Sequence, residues 1–321
     1  MRHLPRLLTQ CRDLDSAQNE LRWLTEHAQQ VKSQSPDNQE TWQRSLARFI
    51  RRRTQGEPLQ YIIGDQPFGD LEILCRPGVL IPRPETETYS RSIACLLDSL
   101  SNNSKSHHLL PPELKVLDLC SGTGCIALLI HSLLRKSFKD SNAKKLAVTG
   151  IDISETALKL ARQNLEHNIR LGVLHPAARQ EISFRGDGFY DVIISNPPYI
   201  SPTDHAAGGR VERSVRDYEP LLALVPPNIE TEHGPRSDIF YSRILQVGRL
   251  ARARLICMEI GDAAQAARVV RLAEQFRSDA AGNLEAQVTE LWCDDGHVSQ
   301  VNARDICQHR DRGTEAILNA L

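Results

Sequence analysis

The chain reads as an α/β protein: a parallel sheet with helices on both faces, preceded by a small helical unit and a β-hairpin. Three observations lead there. From Lys115 onward, short aliphatic runs alternate with longer segments of helical period. Residues 1–56 carry helical period alone. Between the two, residues 59–74 change to short strand-like runs interrupted by glycine.

The elements follow in order. Leu14, Ala17, Leu21, Leu24, Ala28 and Val31 recur every three or four residues, one apolar face of a long helix. Ser35-Pro36 breaks it. Asp37 followed by Glu40 resembles a capping box, and Trp42, Leu46, Phe49 and Ile50 line the next helix. Gly56 and Pro58 stop that helix. Residues 1–56 are therefore expected as a helical domain too small to bury a large core alone. Residues 57–84 are expected as a hairpin and linker. Leu59 to Ile63 forms one strand, Gly64-Asp65 the turn and Phe68 to Leu74 the other, and Pro77, Pro82 and Pro84 fix an extended path. A helix from about Glu85 to Leu100 opens a larger domain over 85–321. Polar stretches 101–113 and 135–145 read as loops. Val116 to Leu119, Leu146 to Ile151, Phe184, Val192 to Ser195 and Leu255 to Ile260 mark strands. Gly124 to Arg135 and Ser154 to Asn168 mark helices between them. Residues 203–237, rich in Pro, Gly and charge, take no assignment.

Composition narrows the functions. Thirty-nine Lys+Arg against 40 Asp+Glu leave a formal charge of -1, which argues against holding nucleic acid mainly by bulk charge. The longest aliphatic run, Ile126 to Ile130, is far short of the roughly 20 residues of a membrane span. Eight cysteines contain no C-x-x-C pair, so no metal site is expected. Cys95, Cys120, Cys125 and Cys257 read as small core residues in a reducing compartment. Arg2, Arg6 and Arg12 precede the first acid, Asp13, with Leu4, Leu7 and Leu8 among them. That composition suits an import segment and an ordinary first helix equally.

Three constellations carry chemistry. Asp118-Leu119-Cys120-Ser121-Gly122-Thr123-Gly124 lies where a strand becomes a helix, with glycines that let the backbone turn and approach a ligand. It lacks the third glycine of the dinucleotide fingerprint, so a nucleoside without pyrophosphate fits better. In Gly150-Ile151-Asp152-Ile153-Ser154, Asp152 at a strand tip can accept from both hydroxyls of a ribose, with Ser154 left to cap the helix. In Asp191-Val192-Ile193-Ile194-Ser195-Asn196-Pro197-Pro198-Tyr199, a buried strand ends in Asn-Pro-Pro-Tyr. The Asn196 side-chain oxygen and the Pro197 carbonyl are placed to accept two hydrogen bonds from one planar NH2 group, and Tyr199 offers a flat face to stack on it.

Together these resemble the Rossmann-like class I methyltransferases that use S-adenosylmethionine. Gly56-Glu57-Pro58-Leu59-Gln60-Tyr61-Ile62-Ile63-Gly64, Phe68 and Val79-Leu80-Ile81-Pro82-Arg83-Pro84-Glu85-Thr86-Glu87 look like the signature of the HemK/PrmC family. Asp217 to Leu224 and Glu259-Ile260-Gly261 also look like family segments. The resemblance spans about residues 14–262. It implies methyl transfer to the glutamine side-chain amide (N5) in the Gly-Gly-Gln motif of a peptide chain release factor. It further implies a cofactor site of Asp118, Cys120, Ser121, Gly122, Thr123, Gly124, Asp152, Asp187 and Asn196. The acceptor site would be Asn196, Pro197, Pro198 and Tyr199, with Arg83 and Glu85 either at the pocket mouth or joined as an ion pair. No general base is expected. The release factor is the implied protein partner, gripped by the helical unit and by Arg51 to Arg53, with no requirement for nucleic acid or membrane. The helical unit resembles the bacterial and organellar branch, so the expected compartment is mitochondrial, with cytoplasmic as the alternative. Two other functions stay open: a nucleic-acid amino methyltransferase (adenine-N6 or guanine-N2), and a non-catalytic release-factor-binding protein. The chain departs from the family pattern at Gly186-Asp187-Gly188-Phe189-Tyr190, which reaches the next strand in few residues. Asn228 to Asp238 lacks the family's glycine-rich form, and the loop before the fifth strand lacks its usual Gly-Gly.

Overall fold

The structure is a computed structural model. It describes residues 3–11, 13–34, 39–102, 111–138, 145–186, 188–229, 234–278, 289–293, 298–300 and 314–320. Asp187, Asp37, Arg2, Arg12 and most of the two polar loops lie outside the described residues.

Helices α1 (Leu4–Leu7), α2 (Leu14–Gln34) and α3 (Trp42–Thr54) pack around Leu7, Ala17, Leu24, Ala28, Leu46, Phe49 and Ile50. Leu7 is wholly buried in this core, with Leu4 and Cys11 packed against it, whereas Arg6 and Leu8 are exposed. Thr41 caps α3: its side chain accepts from the Arg44 N–H at 3.4 Å.

The expected strand at Leu59 to Ile63 is instead a short helix, α4 (Leu59–Ile63). Pro58 sets its entry, and Gly64 ends it in the left-handed region at φ 104°. Five apolar-rich residues fit either period, and here Ile62 is buried among α1–α3 while Tyr61 packs on Cys75 and Ile81. The hairpin begins afterwards, as β1 (Asp65–Phe68) and β2 (Leu71–Leu74), turning at Gly69-Asp70. Asn164 and Asn168 cover its outer edge. The Asn164 side chain accepts from Leu74 N–H at 2.7 Å and donates to Leu74 O, and Asn168 makes the same pair of bonds with Glu72.

From α5 (Pro84–Asn102) the chain alternates. In order come β3 (Glu113–Leu119), α6 (Cys125–Phe138), β4 (Lys145–Ile151), α7 (Glu155–Arg170), α8 (Ala178–Glu181), β5 (Ile182–Ser183) and β6 (Val192–Ser195). Three short helices, α9 (Pro202–His205), α10 (Arg213–Tyr218) and α11 (Leu221–Leu224), fill the stretch that had no assignment. Then come α12 (Ile239–Ala251), β7 (Leu255–Glu259), α13 (Ala263–Ser278), β8 (Thr289–Cys293), β9 (Val298–Gln300) and β10 (Thr314–Ala320). The strand order is β5-β4-β3-β6-β7-β10-β8-β9. The first five are parallel and β10 runs antiparallel to β7 and β8. The sheet is thus mostly parallel, with antiparallel strands at one side.

Strand alternation sorts the core. Val192 and Ile194 join Val116 under α5 and α6, whereas Ile193 joins Leu117, Ile256 and Met258 under α12 and α13. Cys125 and Cys257 are buried, but Cys95 is exposed on α5. The order reverses between β3 and β6, which places a crevice at their carboxyl ends. No helix among the described residues is long and apolar enough to cross a membrane.

Candidate functional site

A cavity of about 390 Å³ opens at that crevice, lined from β3 by Cys120, Ser121, Gly122 and Thr123, from β4 by Asp152 and Ile153, and from β6 by Asn196 and Pro198. Arg83, Thr86, Leu222 and Ala223 close its other side.

The turn after β3 is a backbone cradle. Cys120, Gly122 and Gly124 all have positive φ, at 62°, 54° and 80°. The two glycines are needed for different reasons. A Cβ on Gly122 would meet nothing nearer than the Cys120 carbonyl at 4.0 Å, so glycine there keeps space next to the cavity. A Cβ on Gly124 would press on Ala161 of α7 at 3.0 Å, so glycine there lets helix and loop pack. Asp118 is buried beneath the turn. One oxygen accepts from the Ser121 hydroxyl at 2.6 Å and from Ala127 N–H, while the other has no hydrogen-bond partner among the described residues. Burial pushes its pKa up to about 7. Burial likewise pushes the Cys120 thiol up to about 12, so it is no nucleophile at neutral pH.

Ser154 caps α7, accepting from Ala157 N–H. Asp152 is more engaged than the sequence suggested. Its Oδ2 accepts from Gly122 N–H at 2.9 Å and its Oδ1 from Ser154 N–H at 2.8 Å. A carboxylate has about four lone-pair sites, so one on each oxygen remains for a ligand. The bond from Gly122 ties the β4 tip to the glycine turn.

At the end of β6, the Ser195 hydroxyl donates to Leu119 O at 2.8 Å, pinning this strand to β3. The Asn196 amide nitrogen donates to Thr86 Oγ1 at 3.2 Å. Its oxygen has no hydrogen bond among the described residues. Pro197 and Pro198 are buried, and only Pro198 is among the cavity's lining residues. Tyr199 is not among the cavity's lining residues. Its hydroxyl donates to Glu259 at 3.0 Å, and the ring lies against Gly261. Burial and the nearby Glu259 raise the Tyr199 pKa well above its ordinary value.

Arg83 lines the cavity but does not pair with Glu85. It donates to the buried Glu219 at 2.6 Å, and Glu219 also accepts from Ile81 N–H. Glu85 is exposed on the first turn of α5 and is not among the lining residues. Thr86, Glu259 and Glu219 were not singled out from sequence as site residues, although each stands in a segment already noted. Of the basic run, Arg53 pairs with Glu20 and Arg52 with Glu57, leaving Arg51 exposed.

The pattern described as "Methyltransferase small domain" matches residues 93–213, which span this cradle and the Asn-Pro-Pro-Tyr end of β6. The mitochondrial MRF1 N(5)-glutamine methyltransferase MTQ1 of Saccharomyces cerevisiae is 36% identical over 247 residues, covering 74% of this chain and 69% of the yeast protein. The probable MRF1 mitochondrial N(5)-glutamine methyltransferase mtq1 of Schizosaccharomyces pombe is 33% identical and covers 79% of each chain. The release factor glutamine methyltransferase of Bacteroides thetaiotaomicron is 36% identical, covering 64% of this chain and 63% of the bacterial protein. The chain belongs to the release factor glutamine methyltransferase family. Its cofactor is S-adenosylmethionine. The residues present fit that group: open space beside Gly122 admits a ligand against backbone, and Asp152 keeps acceptor capacity for ribose hydroxyls.

Proposed function

We propose that this methyltransferase modifies the side-chain amide nitrogen of the glutamine in the Gly-Gly-Gln motif of a peptide chain release factor, and that it does so in mitochondria. The observation that carries the chemistry is Asn196. Its nitrogen is committed to Thr86, which leaves its oxygen as the acceptor beside the cavity. An amide nitrogen is a poor nucleophile because its lone pair is delocalised. Two fixed acceptors, Asn196 Oδ1 and the Pro197 carbonyl, hold both N–H bonds and aim the nitrogen. They also stabilise positive charge as it develops there. The bound cofactor supplies an electrophilic methyl group on a sulfonium. Asp118 through Gly124 and Asp152 form the cofactor side of the site, with Asp152 taking the ribose hydroxyls. Pro198 and Tyr199 shape the acceptor side, and the Tyr199 hydroxyl serves as an anchor to Glu259. The surplus proton of the methylated amide passes to water, so no general base is required.

The two fungal relatives are named as mitochondrial, which supports the compartment. The domain of residues 1–56 offers the added surface for a folded release factor. Arg51 is the member of the basic run open to it, since Arg52 and Arg53 are engaged within the chain. The test is incubation with labelled S-adenosylmethionine, mitochondrial and cytosolic release factors, DNA and RNA, read by mass spectrometry. Methyl on the Gly-Gly-Gln glutamine of the mitochondrial factor is expected. Methyl only on nucleic acid would overturn the substrate, and methyl only on the cytosolic factor would overturn the compartment.

A further inference from the structure

Behind Asn196 lies a chain of hydrogen bonds that the acceptor itself does not reach. Asn196 Nδ2 donates to Thr86 Oγ1 at 3.2 Å, and Thr86 Oγ1 donates to Glu259 Oε2 at 2.7 Å. The other Glu259 oxygen accepts from the Tyr199 hydroxyl at 3.0 Å. Thr86 and Glu259 are 2% and 4% exposed, so water does not compete for these bonds. The Glu259 backbone is fixed too, because its carbonyl accepts from the Tyr241 hydroxyl at 3.0 Å. Tyr89 is buried close by, and its hydroxyl is a further polar group facing Glu259.

The direction of each bond follows from the inventory of donors. A carboxylate only accepts, and a threonine hydroxyl has one proton. With hydroxyls donating to both Glu259 oxygens, the Thr86 proton is spent on Glu259. Thr86 oxygen can then only accept, so it requires the NH2 end of the Asn196 amide. The opposite amide orientation would set a carbonyl oxygen against a lone pair. Burial raises the Glu259 pKa, and the Thr86 and Tyr199 hydroxyls oppose that rise by favouring the charged form.

We propose that Thr86 and Glu259 are positioning residues: together they fix which end of the Asn196 amide faces the acceptor, and so give the site its preference for an NH2 group. This rests on the proposed role of Asn196 and adds two residues that lie 110 positions before it and 63 after it in sequence.

The experiment compares Thr86→Val, Thr86→Ser and Glu259→Gln with the unmodified full chain. Thr86→Val keeps the shape and removes the hydroxyl. It should lower kcat for glutamine methylation roughly 10–100-fold, the range for groups that orient a metal ligand from behind. The Kd for S-adenosylmethionine, by calorimetry, should stay within about twofold. Thr86→Ser should restore most of the rate. Glu259→Gln can donate to Thr86 and so allow the amide to turn over; it should lose rate like Thr86→Val. A second readout needs no acceptor. In NMR spectra of chain labelled at asparagine nitrogen, the Asn196 NH2 should exchange slowly with solvent in the unmodified chain and Thr86→Ser, and fast in Thr86→Val. Normal turnover and unchanged exchange in Thr86→Val would overturn the inference, as would a Thr86→Ser variant no better than Thr86→Val. If the unmodified chain puts no methyl on glutamine, the substrate assignment fails, while the exchange measurement still decides the inference.

Discussion

In the proposed site, the ends of β3 and β4 offer the cofactor a glycine turn braced by two carboxylates, whereas the end of β6 offers the acceptor a side-chain amide braced from behind. The first surface is the glycine turn, held in place by Asp118 from below and Asp152 from the side. The second is the Asn196 amide, held by Thr86 and Glu259. A main-chain surface is shaped by residues close together in sequence, so its pattern is compact. A side-chain surface is shaped by whatever packs behind it, and those residues arrive from distant segments. The difference also predicts how each half fails. Damage to the main-chain half should weaken binding, and damage to the side-chain half should slow chemistry.

The largest expected effect separates the halves most sharply. Asn196→Ala should cut turnover by roughly 10²–10³, about 3–4 kcal/mol, by analogy with the loss of one preorganised polar group, while cofactor affinity stays nearly intact. Loss of cofactor binding in this variant would erase the distinction. Asp152→Ala should do the reverse, weakening S-adenosylmethionine by roughly 1.5–3 kcal/mol as a charged hydrogen-bond acceptor is removed. Calorimetric titration with unchanged affinity would take Asp152 out of the cofactor site.

Asp118 tests what supports the turn. Its folded pKa of about 7 lies above its ordinary value, so the protonated fold is favoured. That contribution is fully present below about pH 4 and is lost as pH rises through about 7, at about 1.4 kcal/mol per pH unit in that window. Asp118→Asn should flatten this part of the stability-against-pH curve, measured by urea unfolding of the cofactor-free chain. An unchanged slope would show that another group carries it. The smallest effect is Ser154→Ala, which removes the α7 cap and should cost about 1 kcal/mol of stability, with turnover unchanged in folded protein. A thermal melt with no shift would show that Asp152 alone secures this helix start.

The same contrast explains what the sequence disclosed. Glycines, prolines and aliphatic runs are local signals, and they located β3, β4, β6 and β7 to within a few residues. Asn-Pro-Pro-Tyr was readable for the same reason. Thr86 and Glu259 stand in segments the sequence marked, but their role was not readable, because their contact joins residues 173 positions apart. The α4 segment was misread because five residues cannot separate a helical period from a strand. What settles it is burial of Ile62 against the N-terminal helices, which is tertiary information. The three short helices between 202 and 224 have one buried residue, Leu224, and only α11 reaches the cavity, so no period shows. Arg52 and Arg53 looked like a free basic patch, and only the fold reveals Glu57 and Glu20 beside them.

The asparagine pair along the hairpin bears on how the chain is made. An isolated two-stranded hairpin is marginal in water. Here the outer strand finds its remaining partners on Asn164 and Asn168, some 90 residues later in synthesis. At roughly 5–20 residues per second, a ribosome needs about 5–18 seconds to deliver them. Through that interval residues 65–74 have left the ribosome with an open strand edge. The nascent chain is then most exposed to wrong pairing and to chaperone capture, and translation speed across residues 75–168 sets how long that exposure lasts.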